Sequence, residues 1–276
     1  MKLGISIELY NIDELELKLK AASKSGFKHC QIYLREVDVS DNIIKQVSER
    51  CRELGIRIGP VGAYANPLQP GDSPMGWDME KVKRLIPLLK ELDSNTIVMW
   101  SGTASHDLFT FDPYNHSHSA LEQLVQMTNG ILNLLEPIKG ILAFEPYYLH
   151  VLHDYRSIET FMKEVDSDRV KIVMDPPNFI SPDEYDSRDK IIEELIERIG
   201  QHIGIVHFKD FSLKSDRTWE YPGPGGGVLN YRLFLDKLRM VNYQSWGIIE
   251  HVSPSEYDSA RKFLEIHLRN SGINYE

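Results

Sequence analysis

The sequence is poor in cysteine, short of basic residues and without a long apolar run, and each shortage removes a class of protein. Cys30 and Cys51 are the only cysteines in 276 residues and form no CxxC pair. That removes a disulfide framework and a thiolate metal site, leaving two buried, reduced thiols as the expectation. Thirty-one lysines and arginines face 41 aspartates and glutamates, a net charge of −10. A surface of that sign repels phosphate backbones, so no nucleic acid is expected as a partner. No stretch approaches the roughly 20 apolar residues that a membrane span needs. The apolar start, MKLGISIELY, turns acidic too soon for a secretory signal. The expectation is a soluble cytoplasmic protein, alone or as a homo-oligomer, that acts on a small molecule. Also absent are a linker-like stretch and a GxGxxG turn after the first strand-like run, which argues against two hinged domains and against an open dinucleotide-binding sheet.

What is present is an alternation. Short apolar runs at 2–8, 28–33, 57–63, 95–100, 140–145, 170–175, 202–207 and 246–250 are separated by amphipathic helical stretches. Met79, Val82, Leu85, Ile86 and Leu89 keep one apolar stripe, as do Leu121, Leu124, Val125, Ile131, Leu132 and Leu135. Pro87 is expected to kink the first of these helices. Eight such units predict a closed (β/α)8 TIM barrel in which residues 1–276 form one domain. Connections from helix to strand are tight, such as Ser25-Gly26 and Leu54-Gly55, whereas those after strands 3, 4 and 7 are long, at 64–78, 101–119 and 211–227. All the long ones open at the carboxyl ends of the strands, where barrel enzymes build their sites.

Four consecutive strands end there on a metal-competent side chain: Glu145, Asp175, His207 and Glu250. Alternation in IGIVHF points Ile203, Ile205 and His207 to one side, so an imidazole closes an apolar row. Two glutamates, an aspartate and a histidine form a mixed N/O set suited to a divalent metal ion, Mn²⁺, Mg²⁺, Co²⁺ or Zn²⁺. Burying these carboxylates together without a cation would cost several kcal/mol. Lys209 falls on the same side as His207 and is expected to meet a substrate oxygen, the alternative being a surface ion pair with Asp210. Trp100, Trp77 and Trp219 are candidates to wall a pocket, since sugars pack their C–H faces on aromatic rings, with packing in the core or a lid the equal alternative for each. His106 is the loop histidine expected to reach substrate, while His116, His118, His150, His153 and His251 read as solvated.

At these strand ends the chain resembles the xylose-isomerase-like TIM barrels grouped as sugar phosphate isomerases/epimerases, which also include metal-dependent apurinic-site endonucleases. In that family Glu, Asp, His and Glu end strands 5 to 8, matching Glu145 in FEPYY, Asp175 in MDPPN, His207 in VHFKD and Glu250 in IIEH. PGGGVLNY, from Pro224 to Tyr231, is similar to the family's PGxGxVDW segment, with Asn230 in place of a helix-capping Asp. Three positions depart from the pattern. Asn178 stands where many members carry a further histidine, Gln31 where a glutamate commonly ends strand 2, and HFKD replaces the HxGExxR of ketose 3-epimerases in a form similar to inosose dehydratases. The resemblance implies a metal-dependent isomerase or epimerase of a monosaccharide-like hydroxy-ketone, in which Glu145 and Glu250 move protons through an enediolate and Asn178 contacts a sugar hydroxyl. The alternative is an inosose-dehydratase-type lyase of a sugar or cyclitol, with Lys209 assisting loss of a β-hydroxyl. The endonuclease reading needs the histidine absent at Asn178 and an Asp-x-His pair that this chain lacks.

Overall fold

The computed structural model describes residues 1–72 and 75–276; Ser73 and Pro74, within the long loop expected at 64–78, lie outside the described residues. Eight parallel strands close into a barrel: β1 (Lys2–Leu9), β2 (His29–Leu34), β3 (Arg57–Gly62), β4 (Thr96–Trp100), β5 (Ile141–Glu145), β6 (Val170–Met174), β7 (Ile203–Phe208) and β10 (Trp246–Ile249). The last strand pairs with the first from Lys2 opposite Trp246 to Ile5 opposite Ile249, which leaves no open edge. Each strand begins and ends within one residue of the expected position. The reason is physical: a barrel strand is covered on both faces, so its apolar run is continuous and starts and stops with the strand. All five residues of β4 are buried. At the amino end the Trp246 ring lies over β3, where a Cβ on Gly59 would come within 2.7 Å of it.

Helices α1 (Glu14–Lys24), α2 (Asp41–Glu53), α3 (Met79–Leu85), α4 (His118–Leu135), α5 (Tyr155–Val165), α6 (Arg188–Ile199), α7 (Tyr231–Met240) and α8 (Tyr257–Asn270) cover the outside. Their starts follow local chemistry. Asp78, Ser117, Asp154 and Asn230 each accept, through the side chain, a backbone N–H three residues on. Pro87 does not kink a continuous helix, as expected from sequence. Instead α3 stops at Leu85 and Ile86–Leu92 continues as a tighter 3₁₀ turn with the proline in its first turn, where its missing N–H leaves no gap in the ladder. No helix among the described residues is long and apolar enough to cross a membrane.

The loop after β7 holds a feature that the sequence did not suggest, a two-residue antiparallel pair of β8 (Ser212–Leu213) and β9 (Trp219–Glu220). Beneath it Asp210 is buried and accepts three backbone N–H groups, from Phe211 at 2.9 Å, Leu229 at 2.8 Å and Gly225 at 3.1 Å. The alternative of a surface ion pair between Lys209 and Asp210 is therefore wrong: both side chains are buried, and they serve different networks. A Cβ on Gly227 would overlap the Phe211 carbonyl and the Asp210 carboxylate, so glycine there lets the chain pass close under the site.

Candidate functional site

Because the four strand-end side chains come from β5 to β10 of one closed barrel, they converge on its axis. Glu145 is the last residue of β5, while Asp175 and Glu250 directly follow β6 and β10. His207, wholly buried on β7, places Nδ1 at 3.4 Å from Glu145 Oε2, 3.3 Å from Glu250 Oε2 and 4.0 Å from Asp175 Oδ2. Its other ring nitrogen donates to Gln31 Oε1 at 3.3 Å. That contact leaves the Nδ1 lone pair facing carboxylate oxygens, an unfavourable arrangement with nothing positive between them.

Each carboxylate is held differently. Glu145 is clamped, accepting from the Tyr64 hydroxyl at 2.9 Å on Oε2 and from Asn178 Nδ2 at 2.8 Å on Oε1. Gln31 reaches Tyr64 Oη at 3.2 Å and Glu250 Oε1 at a long 3.5 Å, so Glu250 is the looser of the two glutamates. Lys209 Nζ stands 2.5 Å from Asp175 Oδ2, outside hydrogen-bond angles, and donates to Asn178 Oδ1 at 3.3 Å. Its ammonium also lies 5.1 Å from the Tyr221 ring centre.

Charge states follow from this crowding. Burial, then Asp175, pushes the Glu145 carboxyl up to about 7 against the pull of Lys209, Tyr64 and Asn178. Burial and Glu145 push Glu250 well above the usual carboxylate range, and burial raises Asp175 against the pull of Lys209. Burial alone would lower the Lys209 ammonium, but Asp175, Glu145 and Glu250 outweigh it and keep it charged. Burial, with Lys209 adding to it, holds His207 well below its ordinary value, so the imidazole is neutral and ready to act as a ligand.

These residues fit a divalent cation. His207 Nδ1 and both Asp175 oxygens are buried without a hydrogen-bond partner, and Glu145, Asp175 and His207 each offer a ligand atom within 4.8 Å of the others. Ligand atoms held about 2.1 Å from one ion stand about 3.0–3.4 Å apart. The separations from His207 Nδ1 to Glu145 and Glu250 meet that range.

Residues 19–267 match the family described as xylose isomerase-like TIM barrel. The chain belongs to that family. Among solved structures it is similar to 3-keto-D-glucoside 4-epimerase from E. coli, with 18% identity and a TM-score of 0.69 over 96% of this chain and 99% of that one. D-psicose 3-epimerase in the presence of D-fructose gives 19% identity and a TM-score of 0.70 over 99% and 100%. The probable 3-DHS dehydratase of petrobactin synthesis from Bacillus anthracis gives 15% and 0.69 over 96% and 99%. Identities this low speak for the fold alone. No curated protein matches the sequence.

In this xylose-isomerase-like barrel Glu145, Glu250, Lys209, Asn178 and Trp100 all line one cavity at the carboxyl face, with Asp175 and His207 buried at the same strand ends. His106 is not brought to it. Its side chain is 88% exposed and pairs with Asp72 at 2.8 Å, because the 101–119 loop carries it outward. Trp77 also falls elsewhere, fully buried with Nε1 donating to the Leu34 carbonyl at 2.9 Å, and Trp219 packs on Phe211 and Tyr185 beside the cavity. His150, expected to be solvated, is buried behind Trp100 at 5.3 Å between ring centres. Sequence reasoning missed Tyr64 as the partner of Glu145. Its signal was positional, a tyrosine two residues past the end of β3 on the face where the long loops open.

One pH dependence follows with a definite sign. A carboxyl whose pKa is raised by folding stabilises the fold below its unfolded value, and that contribution is lost as pH rises through the folded value, near 7 for Glu145. Protons and a cation compete for the same oxygens. The rise in melting temperature on adding Mn²⁺ to chelator-treated protein is therefore expected to grow from about pH 5 to about pH 8, and to be small at every pH in His207→Ala. Equal increments at both ends of that range, in both proteins, would show that the cation does not bind these residues.

Proposed function

We propose that the protein is a divalent-metal-dependent isomerase or epimerase of a monosaccharide-like hydroxy-ketone, with the cation held by Glu145, Asp175, His207 and Glu250. The observation that carries this is the pair of glutamates flanking His207, at 3.4 and 3.3 Å from its Nδ1, one clamped and one loose. When bound, a divalent ion at these residues would supply Lewis acidity to a substrate carbonyl and so make the neighbouring C–H bond acidic. Glu250 takes that proton, held by only one long hydrogen bond among the described residues, from Gln31 at 3.5 Å. Glu145, entering from the other side of β7, returns a proton to the opposite face in an epimerisation. Lys209 and Asn178 line the cavity next to Glu145 and donate to the oxygen on which negative charge develops.

The runner-up is a lyase that expels a β-hydroxyl. Epimerases and a dehydratase both occur on this fold, so the fold does not choose between the two readings. Lys209, beside Asp175 and Asn178, is placed to donate to a substrate oxygen under either reading. Mn²⁺-loaded protein incubated in D₂O with a panel of ketoses, inososes and sugar acids tests both. Deuterium at a carbon next to the carbonyl, with the skeleton retained, is the expected result. Loss of water from the product would move the assignment to the lyase, and no exchange with any compound would overturn the proposal.

A further inference from the structure

Gln31, within β2, sends its side chain to the ends of three other strands. Its Nε2 lies 3.2 Å from Oη of Tyr64, just past β3, and 3.5 Å from Oε1 of Glu250, just past β10. Its Oε1 lies 3.3 Å from Nε2 of His207 on β7. Tyr64 and Glu250 line the cavity. Gln31 is wholly buried, so it can act on the site only through these partners.

Which end of the amide faces which partner is decided by the partners. A carboxylate at Glu145 can only accept, and Tyr64 gives it the one hydroxyl proton it has, at 2.9 Å. The Tyr64 oxygen is left needing a donor, and so is Glu250 Oε1. Only the NH₂ end of Gln31 serves both, so its carbonyl faces His207. A neutral imidazole carries its proton on one nitrogen, and a carbonyl accepts a ring N–H but repels a ring lone pair. The proton is thereby held on Nε2, and the Nδ1 lone pair faces Glu145, Glu250 and Asp175. Turning the amide over would set its oxygen against Tyr64 and Glu250, and moving the ring proton would set the Nε2 lone pair against Gln31 Oε1. Each exchange loses a buried hydrogen bond and brings two acceptors face to face.

We infer that Gln31 is a positioning residue of this site: its amide, oriented by Tyr64 and Glu250, fixes the tautomer of His207 and so turns the Nδ1 lone pair toward the carboxylates. The inference rests on the metal reading above for what that lone pair meets, and on the hydrogen bonds alone for the tautomer. One direction of donation runs through the chain of contacts, from His207 into the Gln31 carbonyl, and from the Gln31 amide through Tyr64 into Glu145. Both ends are proposed ligands of one cation, so an amide between them sets how each presents itself. Other side chains at 31 do only part of this. Methionine is close to glutamine in length and has no carbonyl. A glutamate carboxylate accepts from His207 Nε2–H but donates nothing to Tyr64 or Glu250.

Long-range proton–nitrogen correlation NMR of the histidine rings reads the tautomer directly in chelator-treated protein at about pH 8, above the ordinary carboxylate and imidazole ranges. The His207 signals are identified by their loss in His207→Ala. The proton is expected on Nε2 in the unmodified protein and in Gln31→Glu, and on Nδ1, in whole or in part, in Gln31→Met. Calorimetric titration with Mn²⁺ is the second readout. Binding is expected to weaken about 10- to 100-fold in Gln31→Met, the scale of losing the partner behind a metal-bound histidine, and not to weaken in Gln31→Glu. A side chain that only fills space would move neither. A proton on Nδ1 in the unmodified protein, a Gln31→Met variant with unchanged tautomer and affinity, or Gln31→Glu binding as weakly as Gln31→Met would each overturn the inference. If Gln31→Met does not fold, the tautomer of the unmodified protein and the affinity of Gln31→Glu still decide. Failure of the metal reading looks different: no uptake of Mn²⁺ by the unmodified protein, with the His207 proton on Nε2, sinks the cation and leaves the role of Gln31 in the tautomer standing.

Discussion

Glu250→Gln, saturated with metal, is expected to lose turnover by on the order of 10²-fold or more, the usual scale of general-base loss. Glutamine keeps an oxygen that coordinates, though more weakly, and removes the basic carboxylate. Position 250 suits the experiment because its side chain is 12% exposed and its one hydrogen bond among the described residues, from Gln31, is long at 3.5 Å, so the amide can be seated without breaking a strong hydrogen bond. Glu145→Gln is a poorer probe. Both Glu145 oxygens accept from donors, and an amide NH₂ would have to face Tyr64 or Asn178. Steady-state rates at saturating Mn²⁺, with the rate of C–H exchange in D₂O, check this. A near-normal kcat in Glu250→Gln would hand the proton to another residue, with Glu145 the first to examine.

Lys209→Met is expected to destabilise the metal-free protein by about 3 kcal/mol or more, the cost of leaving a buried charge without its partner. Its ammonium is the cation next to Asp175, at 2.5 Å. Added Mn²⁺ should restore part of the loss, since a cation on the same carboxylates offsets the same repulsion. Denaturant melts with chelator and with Mn²⁺ measure both effects. Equal stability of the two proteins in chelator would show that the pair contributes nothing to the fold. In the loaded variant KM should rise while exchange persists at high substrate, because a hydrogen-bond donor has gone and the base has not.

The barrel and the four polar side chains at its strand ends were legible in the sequence for one reason. A strand buried on both faces writes itself as an apolar run, and the first polar residue at its carboxyl end then stands out, as in ILAFE and IGIVHF. What lies between strands was not legible. Gln31 and Tyr64 join β2 and the end of β3 to Glu250 and Glu145 across 219 and 81 residues of chain, and no local pattern marks such contacts. Loops were harder still. Sequence placed His106 at substrate and His150 in water, whereas the structure leaves His106 exposed and buries His150 behind the cavity wall, because a loop's path is set by anchors such as the Leu108 carbonyl on His150 rather than by periodicity. Asp210 looked like half of a surface pair because its neighbour is a lysine, whereas its real partners are backbone groups at 211, 225 and 229.

Gln31 also fixes an electrical balance. Family resemblance would place a glutamate at this strand end, and the amide that stands here is wholly buried and carries no charge. Fully ionised, the floor has three carboxylates and one ammonium, an excess of two negative charges that one divalent ion cancels. A glutamate at 31 would leave one charge over and favour recruiting a second cation or a positively charged substrate. With glutamine, a floor that holds one divalent ion as proposed would be electrically neutral, so a substrate carrying no net charge could settle on it without bringing a counterion.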